Sequence, residues 1–144
     1  MDRELMEAIA AGERALHSLR GAHKALGSAK NWGLWDLFGG GFLTDMMKHG
    51  RLDDAMRRME AARQDLRIFE MELRDVDVTS QLNVDVGDFL TFADFFFDGM
   101  VADYMVYSRI AEMKERVEET IDRVTYLLAT LQERGGRMGR ETLR

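Results

Sequence analysis

Leu52-Asp-Asp-Ala-Met-Arg-Arg-Met-Glu-Ala-Ala-Arg-Gln-Asp-Leu-Arg-Ile-Phe-Glu-Met-Glu-Leu-Arg-Asp-Val76 is the stretch whose reading decides the fold. Eight of its apolar residues fall at Leu52, Ala55, Met59, Ala62, Leu66, Phe69, Leu73 and Val76. The spacing alternates three and four residues, which is the heptad seam of a helix packing at a shallow angle on its neighbours. Arg57, Arg58, Glu60, Arg63, Gln64, Asp65, Arg67 and Arg74 lie off the seam and read as solvated faces. The pattern predicts a helix over about 44–76.

Fifty-eight residues downstream the same frame returns. Leu52, Ala55, Met59, Ala62, Leu66, Phe69 and Leu73 map onto Ile110, Met113, Val117, Thr120, Val124, Leu127 and Leu131. The shift also superposes Asp36–Ala55 on Asp94–Met113. Six pairs are then identical: Asp36/Asp94, Phe38/Phe96, Gly41/Gly99, Asp45/Asp103, Met47/Met105 and Arg51/Arg109. A fixed-period match of this kind reads as a degenerate internal repeat. It predicts a last helix over about 88–134, bending near Gly99. It also predicts a pseudo-twofold arrangement in which Gly41 and Gly99 meet at a close helix crossing, with Arg51 and Arg109 as equivalent partners of nearby acids.

Upstream, Leu5, Ile9, Gly12, Leu16, Leu19, His23 and Leu26 carry a third seam, with Ala8, Ala15 and Ala22 beside it at seven-residue spacing. A helix from about 2 to 27 follows, with Gly27-Ser28 as its stop. His23 reads as a satisfied core histidine and His17 as exposed. Gly12 is expected to accept alanine with no loss of stability, or a gain. The two stripes of this helix suggest a homodimer if they diverge too far for one chain to cover. Residues 77–87 alternate apolar and polar and read as an ordered connection or an edge strand.

Composition agrees. The chain has 144 residues, no proline and no cysteine, with 46% hydrophobic and 32% charged residues. That is one domain's worth of long helices. Without cysteine there is no disulfide framework, thiolate metal site or thiol nucleophile, and a cytoplasmic location is permitted. The net charge is −6, and from Asp75 to Ser108 there are seven Asp and no Lys or Arg. Nucleic acid is excluded as a partner on that balance, because phosphates require clustered cations. No uncharged run is long enough to span a membrane, and the acidic stretch disfavours docking on anionic lipid. Arg134, Arg137, Arg140 and Arg144 make 135–144 read as a flexible basic tail.

The aromatics are clustered. Trp32, Trp35, Phe38 and Phe42 lie in one segment and Phe95, Phe96 and Phe97 in another. They are the candidate partner-binding residues, at an aromatic end formed by the repeat, with thick core as the plainer reading. Asp45 and His49 are spaced i, i+4 and share a helix face, which with Asp103 makes the weak metal candidate. Asp36 and Asp94 are the other acids of that region. The run Gly39–Gly41 lacks the Lys-Ser/Thr of a phosphate-binding loop. No catalytic constellation is present, and no cofactor is implied.

The strings Asn31-Trp-Gly-Leu-Trp-Asp-Leu-Phe-Gly-Gly-Gly-Phe42 and Phe89-Leu-Thr-Phe-Ala-Asp-Phe-Phe-Phe-Asp-Gly99 resemble those of a family of uncharacterised bacterial helical, coiled-coil-like proteins. The resemblance covers about Glu13 to Leu131. It implies a bacterial cytoplasmic helical protein and carries no activity with it. The sequence therefore reads as an all-α antiparallel bundle of three long helices in a single domain, 1–134. The expected role is a non-enzymatic interaction or scaffold protein that binds itself or another protein. The alternative is a small-ligand or metal-binding protein.

Overall fold

The computed structural model describes residues 3–39, 42–80, 89, 93, 94, 97 and 110–142, with side chains over 3–27, 54–76 and 112–136 and at the four single positions. Within these the chain is all helical. Helix α1 runs Arg3–Gly39, α2 runs Phe42–Ser80 and α3 runs Ile110–Thr142. At 1.5 Å per residue each helix is roughly 50–60 Å long.

The helices exceed their sequence boundaries. The stop expected at Gly27-Ser28 is absent, and α1 continues through Trp32, Trp35 and Phe38 to Gly39. A lone glycine inside a helix costs only about 1 kcal/mol, too little to end one that continues on both sides. Likewise, residues 77–80 belong to α2 rather than to a loop or strand, and 81–87 lie outside the described residues. The expected flexible tail is also corrected. Residues 135–142 continue α3, and Gly135 is buried.

The seam of α2 is buried as its spacing required: Ala55, Met59, Ala62, Leu66, Phe69, Leu73 and Val76 are all closed to solvent. On α3 the frame-related Met113, Val117, Thr120, Val124, Leu127 and Leu131 are buried too. Thr120 is tolerated there because its hydroxyl donates to the Arg116 carbonyl at 2.9 Å, so no polar atom is stranded.

α1 packs on both other helices and differs from its sequence reading. Leu5, Ala8, Gly12, Ala15, Leu19, Ala22 and Leu26 are buried, whereas Ile9, Leu16 and His23 flank them half-buried. The alanine stripe is thus part of the inward seam, and His23 is not. Ile9 and Leu16 pack against the core with part of their surface open to solvent.

Gly12 shows why small residues occupy that seam. A Cβ there would stand 2.6 Å from Leu128 Cδ2 and 2.8 Å from Phe69 Cε1. Three helices converge at this point, and the sequence expectation that Gly12 accepts alanine is corrected. The crossing expected at Gly41 and Gly99 lies outside the described residues, as do Arg109 and the side chain of Arg51.

Contacts fix the direction of each helix. Along α1, Gly12 faces Phe69, Ser18 faces Asp65 and Gly21 faces Arg58. On the other side Gly12 faces Leu128, His23 faces Glu118 and Gly27 faces Lys114. Numbers rise along α1 as they fall along both partners, so each runs antiparallel to α1. α2 and α3 are consequently parallel. Phe89, Ala93, Asp94 and Phe97, four helical residues between Ser80 and Ile110 in the chain, return beside α2, with Phe89 and Ala93 buried. Phe89 meets Phe69 edge to face, with centroids 5.5 Å apart at 78°, a preferred aromatic geometry.

Two other glycines lie in open helix. A Cβ on Gly27 would find only Lys114, at 3.7 Å, and one on Gly136 would find nothing within 4 Å. Gly27→Ala and Gly136→Ala should therefore each stabilise by up to ~1 kcal/mol, raising the melting temperature by roughly 2–4 °C. A fall in either case would mean that the glycine answers a packing demand these contacts do not contain.

Candidate functional site

Of the aromatic candidates, Phe97 alone has a described side chain. Trp32, Trp35 and Phe38 lie on α1 and Phe42 opens α2, with their side chains outside the described residues. Phe95 and Phe96 are outside as well. Phe97 is half-buried, and the Arg67 guanidinium stands over its ring at 4.9 Å from the centroid. Arg67 lies two residues from Phe69, which faces Gly12. From Gly12 to Trp32 is roughly 30 Å of helix. Phe97 therefore packs beside the middle of α2, far along the bundle from the backbone of Trp32.

Asp36 is on α1, and Asp45 and His49 are on α2, by backbone alone; Asp103 lies outside the described residues and Asp94 is exposed. Among the described residues no group of three or more His, Asp or Glu side chains is placed to hold a metal ion. No helix of the described residues is long and apolar enough to cross a membrane.

What the structure does assemble is a polar groove along the α1–α2 seam. Its centre is Ser18, whose hydroxyl donates to Asp65 Oδ2. The bond joins residues of two helices and so braces α1 against α2. His17 is the next residue and is exposed. On one side of this brace the groove is lined by Ala10, Glu13 and Arg14. On the other it opens between Arg20, Gly21 and Lys24 of α1 and Arg58 and Ala61 of α2, with His17 and Ser18 at the junction, enclosing about 310 Å³. Among the described residues no carboxylate lines this second part.

The same seam is acidic where α1 begins. Burial pushes the Glu72 carboxyl above its ordinary range, helped by Glu7, Asp75 and Glu4, with Arg14 pulling the other way. A carboxyl raised on folding favours the folded state below its ordinary pKa, and that benefit is lost as pH rises through the raised value. Glu72→Gln should therefore give a small rise in melting temperature at pH 7, one that shrinks toward pH 4. A variant that melts lower at pH 7 would show that the carboxylate is held by partners strong enough to outweigh its acidic neighbours.

On the far side, His23 Nε2 meets Glu118 Oε1 at 2.7 Å and ties α1 to α3. The sequence reading of His23 as a core histidine is corrected to this half-buried flank. His17 is exposed as expected. The groove was missed in the sequence because its cations come from two helices. The available signal was the His17, Arg20, Lys24 spacing, which puts three basic residues on one face of α1.

No protein-family model, curated protein or solved structure matches the chain.

Proposed function

We propose that the protein is a non-enzymatic helical interaction or scaffold protein that associates with itself or with another protein. The observation that supports this reading is on the outward face of α2. Met56, Ile68 and Met71 are exposed there, opposite the buried seam, with Met71 64% accessible. Helical spacing at 100° per residue puts all three within one third of the helix circumference. Methionine suits such a surface because its unbranched side chain adapts to a partner's shape.

The test compares wild type with an Ile68→Glu, Met71→Glu double variant. Light scattering at micromolar concentration and quantitative affinity capture from the native cell are read side by side. Self-association would show a mass of twice 16.5 kDa, lost in the variant; a foreign partner would be captured by wild type and not by the variant. A 16.5 kDa species with identical captures for both proteins would end the reading.

A further inference from the structure

The basic part of the α1–α2 groove has the features of a binding site. We propose that it holds a small soluble phosphate-bearing molecule, gripped by Arg20 and Lys24 from α1 and Arg58 from α2. This goes beyond the scaffold reading and does not depend on it.

Three observations converge. First, two of the three cations lack the local acid partner that several other arginines of the described residues have. Arg3, Arg58, Arg63, Arg74 and Arg116 each pair with an acid three or four residues away on the same helix. Arg20 and Lys24 have no ion pair with any described residue. They are themselves spaced i, i+4, a like-charge pair that destabilises a helix. Second, Arg58 is brought to them from the other helix. Its Nε donates to Asp54 Oδ2 at 3.2 Å, which anchors the guanidinium and leaves its Nη atoms directed elsewhere. Nη1 lies 3.1 Å from where a Cβ on Gly21 would stand. Third, Gly21 is in a helix interior, where glycine costs about 1 kcal/mol against alanine. Its missing side chain gives the guanidinium its place across α1.

Two local destabilisations thus occur at one spot, and both serve to gather cations in an open cavity of about 310 Å³. A multiply charged anion relieves the repulsion. A phosphoryl group suits the set best, because the planar guanidinium fork matches two phosphate oxygens and the ammonium supplies a point charge. Arg20 and Lys24 are about one helical turn apart, roughly 6 Å, with Arg58 at Gly21 between them, too short a track for a polymer backbone. The chain's net charge of −6 would also repel a polyanion outside this groove.

The experiment is calorimetric titration of the full chain with pyrophosphate and with inorganic phosphate, at fixed ionic strength, with chloride as the control. One saturable site for pyrophosphate is expected. Affinity should fall tenfold or more in Arg20→Gln, Lys24→Gln and in Arg58→Gln, and remain unchanged in Arg116→Gln. Gly21→Leu retains every charge but displaces Arg58, so it should also weaken binding at least tenfold. Circular dichroism confirms that each variant is folded. The proposal is overturned by the absence of saturable heat, by equal affinity in the Arg20/Lys24 variant, or by unchanged affinity in Gly21→Leu. An oligomer that dissociates on the Arg20/Lys24 change, with no phosphate binding by wild type, would instead assign the groove to a second copy's acidic stretch.

Discussion

Phe69→Ala is expected to lower the stability of this protein by about 3–5 kcal/mol, which for a chain of this size is on the order of 10 °C in melting temperature. Phe69 is fully buried and has two roles. Its ring edge comes within 2.8 Å of the space left at Gly12, so it fills the convergence of α1, α2 and α3. Its other contact is the edge-to-face pair with Phe89, which holds the returning segment against α2. Truncation removes the transfer free energy of the ring and leaves a cavity whose three walls are long helices, poorly able to collapse into it. Urea denaturation of Phe69→Ala, Phe89→Ala and the double variant measures the aromatic pair. A coupling of about 0.5–1.5 kcal/mol is expected. Strict additivity would mean that the return is held to α2 by something other than this contact.

The second large effect is at Gly12. Alanine there gains up to ~1 kcal/mol of helix propensity. Against this stands overpacking, typically ~1–3 kcal/mol when a methyl enters a filled core. The atoms it meets are the Leu128 Cδ2 and Cγ and the Phe69 Cε1. Both side chains are buried, so neither can swing into solvent. Overpacking outweighs propensity, and Gly12→Ala should destabilise by about 1–2 kcal/mol net. Gly12→Leu should destabilise more. The two predictions are linked. In a Phe69→Leu background the ring edge is gone, and the penalty of Gly12→Ala should shrink. Thermal melts of the four proteins decide the matter. If Gly12→Ala melts at or above wild type, Leu128 and Phe69 yield without penalty, and the glycine is not there for close approach.

The position of Gly12 shows how far the sequence could be read. The repeat pointed to Gly41 and Gly99 as the crossing, because those two glycines correspond under a 58-residue shift. Gly12 has no such counterpart. A glycine in a sequence records only that a side chain is missing. What faces it depends on register, and the register of α1 against α2 and α3 is set by pairs such as Ser18–Asp65 and His23–Glu118. Those pairs join residues 47 and 95 positions apart, beyond any local pattern. The basic groove was hidden for the same reason: Arg58 joins Arg20 and Lys24 only once the helices are laid side by side.

By itself the sequence determined the all-α class, the seams of α2 and α3, and an apolar inward side to α1. These follow from a spacing of three and four residues, which is local and holds whatever the partner. It did not determine which of two adjacent stripes on α1 faced inward. Leucine and isoleucine looked the better core than alanine by hydrophobicity alone, yet Ala8, Ala15 and Ala22 are fully buried and Ile9, Leu16 and His23 flank them. Only the tertiary structure decided this, because α1 is packed from two sides, and backbones can approach closely only where side chains are small. The same geometry made α2 and α3 parallel, with Phe89 against Phe69. Chain direction and helix order belong to packing between elements, and no periodicity within one element encodes them.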